Sequence, residues 1–65
     1  MNKQPIITIA ISDTEKNIHV FMAGRENPLG YYHWEQGERE VKLETARTDA
    51  KEWAEYYGVE IVEVG

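Results

Sequence analysis

The tightest constraint on this chain is a mismatch between the apolar surface of its strands and the helix available to cover it. Residues 5–12 (Pro-Ile-Ile-Thr-Ile-Ala-Ile-Ser) are rich in β-branched side chains, which suit a pleated surface, and read as a strand. Successive strand side chains point to opposite faces, so Ile7, Ile9 and Ile11 share one face and Ile6, Thr8 and Ala10 the other. Both faces are therefore apolar. Residues 18–23 (Ile-His-Val-Phe-Met-Ala) repeat the pattern, with Ile18, Val20 and Met22 opposed to His19 and Phe21. Against these runs stands one helical stripe, Ala46, Ala50, Trp53, Ala54 and Tyr57, spaced by threes and fours. One helix shields one face of a sheet, which leaves the other face for something else.

Length sharpens the problem. The chain has 65 residues, and one domain of that size buries only about 60% of the surface its unfolded form exposes. Small domains make up the deficit with disulfides, a metal or a partner chain. There is no cysteine, which excludes disulfides and thiolate metal sites and suits a reducing compartment. The first residues, Met1-Asn2-Lys3-Gln4-Pro5, are polar, and the apolar run Ile6 to Ile11 is too short for a signal sequence or a membrane span. The expectation is an unprocessed cytoplasmic protein with no membrane partner.

The net charge of -5 is unevenly placed. Residues 1–34 balance Lys3, Lys16 and Arg25 against Asp13, Glu15 and Glu26. Residues 35–65 set Arg39, Lys42, Arg47 and Lys51 against nine carboxylates, from Glu35 to Glu63, and carry the whole excess. An acidic half repels a phosphate backbone, which disfavours direct nucleic-acid binding.

The remaining segments fill out a fold. Asp13 to Asn17 forms a polar turn, Gly24 to Pro28 a loop, and residues 30–35 a third strand. Gln36-Gly37 suits a two-residue hairpin turn, because Gly accepts positive φ, and residues 38–43 are expected to return as a fourth strand with Arg39, Val41 and Leu43 on one face. This register sets Trp34 opposite Arg39, close enough for a cation–π contact, and Tyr32 opposite Val41; matching apolar faces then sets Val20 opposite Tyr32 and Ile18 opposite Trp34. Thr45 suits the helix N-cap, Gly58 a left-handed C-terminal stop, and Lys51–Glu55 a helical ion pair. Residues 59–64 make the last strand, placed beside strand one and antiparallel to it. The expected fold is α+β in the order β-β-β-β-α-β, a small, mainly antiparallel sheet with one helix packed on one face.

Several groupings suggest function, each with a plainer explanation beside it. The outer sheet face, with Ile6, Thr8, Phe21, Tyr31 and His33 at its centre and Glu40 and Lys42 at its rim, reads as an interface for a second copy or a protein partner. Scattered surface aromatics are its plain alternative. The same register puts His19, His33 and Glu40 in one row, within reach of a shared zinc or ferrous ion. Two ordinary histidines, one bonded to a glutamate, explain the row more simply, so no cofactor is expected. Asp13-Thr14-Glu15 after a strand resembles the first metal-binding motif of DEDD-type exonucleases, but the chain is too short to supply that fold's other acids, and a tight turn accounts for the pair.

Tyr31, Tyr32, His33 and Trp34, with Arg25 and Arg39, could stack single-stranded bases, yet alternation sends neighbouring side chains to opposite faces. Glu44, Asp49, Glu52 and Glu55 could imitate a phosphate backbone, but interspersed basic residues break up that surface. The leading expectation is therefore a non-enzymatic binding or regulatory module acting as a homodimer or with a protein partner. The alternatives are an acidic inhibitor that mimics nucleic acid and a sheet-surface nucleic-acid binder. Nothing in the sequence specifies a small-molecule ligand.

Overall fold

The computed structural model describes residues 6–65; the expected inclusion of Pro5 in the first strand lies outside them. The elements are β1 (Ile6–Ser12), β2 (Asn17–Met22), β3 (Gly30–His33), α1 (Arg39–Tyr57) and β4 (Glu60–Val64). The strands form one mixed sheet in the order β3-β2-β1-β4, with α1 packed against it, an α+β fold. No helix among the described residues is long and apolar enough to cross a membrane.

β1 and β2 are antiparallel, from Ile7 opposite Met22 to Ser12 opposite Asn17. The turn between them uses Lys16 at φ 58°, and the Glu15 N–H donates to Ser12 Oγ at 3.2 Å. Asn17, buried just beyond this turn, donates from Nδ2 to Glu15 at 3.3 Å. β3 joins the other edge of β2 as an antiparallel strand, with Ile18 opposite Tyr32 and Val20 opposite Gly30. Gly30 is required here because the Tyr32 side chain lies over it. A Cβ would sit 2.6 Å from the Tyr32 hydroxyl, which is itself fixed by donating to Asp49 at 2.6 Å.

This register sits two residues away from the expected one, which had placed Val20 opposite Tyr32. A slip of two preserves every face and moves every row. Trp34 extends the ladder by donating its N–H to the Lys16 carbonyl at 3.1 Å, so its cross-strand neighbour is Lys16 rather than Ile18.

The expected fourth strand at residues 38–43 is instead the start of α1. The turn at Gln36-Gly37 does form, with Gly37 at φ 83° and the Glu38 N–H bonded to the Glu35 carbonyl at 3.0 Å, but it delivers the chain into a helix. The cause is a double reading of one segment. Arg39, Val41 and Leu43 alternate as a strand would, yet Leu43 also begins the buried helical series Leu43, Ala46, Ala50, Ala54. Arg, Glu, Lys and Leu are strong helix formers, and Val41, the one β-former, is exposed. Thr45 therefore lies inside the helix rather than at its cap, its hydroxyl donating to the Val41 carbonyl at 3.1 Å.

At the other end Gly58 adopts φ 70°, ψ 40°, and both its N–H and that of Val59 bond the Ala54 carbonyl, the expected left-handed stop. Losing one strand reverses the direction of all that follows. β4 lies beside β1 as expected, but runs parallel to it, from Ile6 opposite Glu60 to Ala10 opposite Val64. β3, α1 and β4 thus make a crossover that carries the chain from one sheet edge to the other.

The core lies between α1 and one sheet face. Ile7, Ile9, Ile18, Val20 and Met22 meet Leu43, Ala46, Ala50 and Ala54, with Trp34 closing one end. Alanines on the helix let it approach closely, and the branched strand side chains fill the space. Ala50 is fully buried, so Ala50→Leu should overpack this layer and cost about 1–3 kcal/mol in urea unfolding. Thr48→Leu, on the exposed side of α1, should change stability by no more than about 0.5 kcal/mol.

Candidate interaction surface

Strand alternation places the side chains that do not meet α1 on the opposite side of the sheet. The paired registers arrange them in rows: Val62, Thr8 and Phe21; then Val64, Ala10, His19 and Tyr31; with Ile6 beside Glu60 at one end and His33 opposite Asn17 at the other. Ile6, Phe21, Tyr31, Val62 and Val64 are 40–55% exposed. Tyr31 packs edge-on against His19, ring centroids 4.8 Å apart, so the aromatic half of the surface is ordered by its own contacts. The four strands contain neither lysine nor arginine. Glu60 is the one carboxylate on this face among the described residues, because Glu63 points to the helix side and binds Arg47.

Five of the expected surface residues, Ile6, Thr8, Phe21, Tyr31 and His33, lie on this face. Glu40 and Lys42 do not. Both belong to the first turns of α1, on the other side of the sheet, because residues 38–43 are helical. The row of His19, His33 and Glu40 is not formed: His19 is opposite Tyr31 and His33 opposite Asn17. Among the described residues no three His, Cys, Asp or Glu side chains are grouped to hold a metal ion. Sequence reading missed Val62 and Val64, whose signal was the alternation of Glu60, Val62 and Val64 with Ile61 and Glu63; with the direction of β4 inverted, that pattern had no register to attach to.

The other candidate groupings are dispersed or already engaged. Asp13 accepts from Arg39 Nε at 2.6 Å, and Glu15 accepts from Asn17, so the two acids do not converge. Tyr31 and His33 are on the open face, while Tyr32 and Trp34 face α1, so the four aromatics form no single platform. The expected Trp34–Arg39 contact exists, guanidinium to ring 5.7 Å, but Arg39 reaches it from the start of α1. Among the candidate mimic acids, Glu44 is held by Arg47 at 3.0 Å and Asp49 by Tyr32, which leaves Glu52 and Glu55. Among the described residues the ion pairs within α1 are Arg39 with Glu40 and Arg47 with Glu44, not Lys51 with Glu55.

Polar contacts thus concentrate on the helix side and tie α1 to both sheet edges. At the β3 edge, burial and the bond to Asp49 hold the Tyr32 phenol well above its usual range. At the β4 edge, the hydrogen bonds from Arg47 hold the Glu63 carboxyl below the usual glutamate range.

No family model matches this chain, and no curated protein or solved structure is significantly similar to it.

The two tethers predict opposite pH limbs. A carboxyl whose folded value is depressed contributes stability above its unfolded value, about 4.3, and loses it as pH falls. Glu63→Gln should therefore flatten the acid limb of the stability profile. A phenol whose folded value is raised contributes below about 10 and loses that contribution as pH rises. Tyr32→Phe should flatten the alkaline limb. Urea midpoints measured across the pH range check both.

Proposed function

We propose that this protein is a non-enzymatic binding or regulatory module of the cytoplasm, acting through the sheet face that α1 leaves bare, as a homodimer or with a protein partner. One observation carries the reading: five large apolar side chains are 40–55% exposed on a single face whose strands add one carboxylate, Glu60, and no lysine or arginine. Removing apolar surface from water is worth about 25 cal/mol per Å². A contiguous patch of this kind is a standing drive toward association, where isolated surface apolar residues are not. The absence of basic residues from the strands speaks against the sheet-surface nucleic-acid alternative. The cysteine-free composition suits a reducing compartment.

The test uses a generic apolar probe, since the face should bind one before any partner is known. Titration with anilinonaphthalene sulfonate under amide NMR should shift Phe21, Tyr31, Val62 and their neighbours, and Phe21→Ser should weaken binding several-fold. Shifts confined to α1, or probe binding indifferent to Phe21→Ser and Tyr31→Ser, would overturn the reading.

A further inference from the structure

Resting on that reading, we infer that the occupant of the bare face is a second copy of this chain, the two sheets stacking about a twofold axis that runs along the strands. Charge, shape and area each favour this pairing.

The first is charge. Among the described residues the face carries Glu60 at one corner and no lysine or arginine, so two copies stacked on it bury no unpaired charge at the centre. The acidic excess lies in residues 35–65, most of it on α1 and the turn before it. Stacked sheets are about 10 Å apart and a helix is about 10 Å thick, so the two helix axes would stand roughly 30 Å apart. That is well beyond the Debye length of about 8 Å at physiological salt, and their repulsion is screened. Pairing along the β4 edge would instead bring Glu60 and Glu63 of both copies together. A basic partner would be drawn to the helix side, not here.

The second is shape. The face divides into a bulky, aromatic half on β2 and β3, with Phe21, His19 and Tyr31, and a slighter, aliphatic half on β1 and β4, with Ile6, Thr8, Ala10, Val62 and Val64. A twofold axis along the strands lays β2 of one copy over β1 of the other, so each bulky half meets a slight one, twice. Such self-complementarity is what an isologous interface needs. An axis across the strands would set rings against rings and leave the small side chains facing each other.

The third is area and topology. Four strands at about 4.8 Å spacing, of 4 to 7 residues each at about 3.3 Å per residue, present roughly 350 Å² per copy in projection. Side-chain relief brings two such faces near the 1,000 Å² or so that marks the lower end of specific interfaces, which suits a reversible dimer. The β1–β4 pairing is parallel within a mixed sheet, and covering of both faces is the rule where all strands are parallel.

Sedimentation equilibrium of the full chain from about 5 to about 500 μM should show the mass rising from one chain toward two, as mass action requires. Phe21→Lys and Thr8→Glu, each with unchanged circular dichroism, should hold the chain monomeric. Mixed in equal amounts they should recover the dimer, because Lys at 21 of one copy would then face Glu at 8 of the other across the crossed arrangement. Should Phe21→Lys fail to fold, Tyr31→Lys on the edge strand replaces it, paired with Val64→Glu. Wild type that stays monomeric at the highest concentration would overturn self-pairing; if the apolar probe still maps to the face, the binding-surface reading stands with another protein as partner. A dimer untouched by either variant, or variants that fail to rescue each other, would overturn the proposed arrangement.

Discussion

A stripe of small side chains on one helix decides how this molecule is organised. Leu43, Ala46, Ala50 and Ala54 form a narrow band, and a narrow band can cover one surface. Because three of the four are alanines, α1 approaches the sheet closely enough for Ile7, Ile9, Ile18 and Val20 to be sealed almost completely. Everything on the reverse of those strands is then left over. The same alternation that supplies the core residues supplies Phe21 and Tyr31 to the outside, so the covered and uncovered faces are two products of one sequence pattern.

Around this apolar contact the polar side chains act as guides. Tyr32 reaches Asp49 from one sheet edge, Arg47 reaches Glu63 at the other, and Arg39 reaches Asp13 in the first turn. Exposed ion pairs contribute little stability in themselves. They tie α1 to the sheet at three separate margins. On the reverse face the strands place a single carboxylate, Glu60, and no lysine or arginine.

The elements that rest on one periodicity were legible in the sequence. β1 and β2 are short β-branched runs bounded by turn residues, and Gly58 has a single role after a helical stripe. Both were read correctly, as was the partition of Ile6, Thr8, Phe21, Tyr31 and His33 to the uncovered side. Residues 38–43 were misread because Arg39, Val41 and Leu43 satisfy a period of two while Leu43 also satisfies the period of Ala46 and Ala50. Local pattern cannot separate the two; the choice comes from the core, where Leu43 completes the helix band. That error displaced Glu40 and Lys42 and inverted β4. The two-residue slip of β3 had a subtler source. The fit of Tyr32 over Gly30 is a contact along one strand, and face alternation does not register it.

The parallel seam between β1 and β4 joins Ile6 to Glu60, stretches of sequence that are far apart along the chain. Until Glu60–Val64 has been made, β1 is an open margin of unpaired amides and carbonyls bearing four isoleucines, the composition that templates runaway strand addition. A nascent or clipped chain lacking those few residues would hold nearly all of its core and still present its stickiest strand to its neighbours. Glu60–Val64 therefore covers the β1 edge and leaves the shorter strands β3 and β4 as the margins of the sheet.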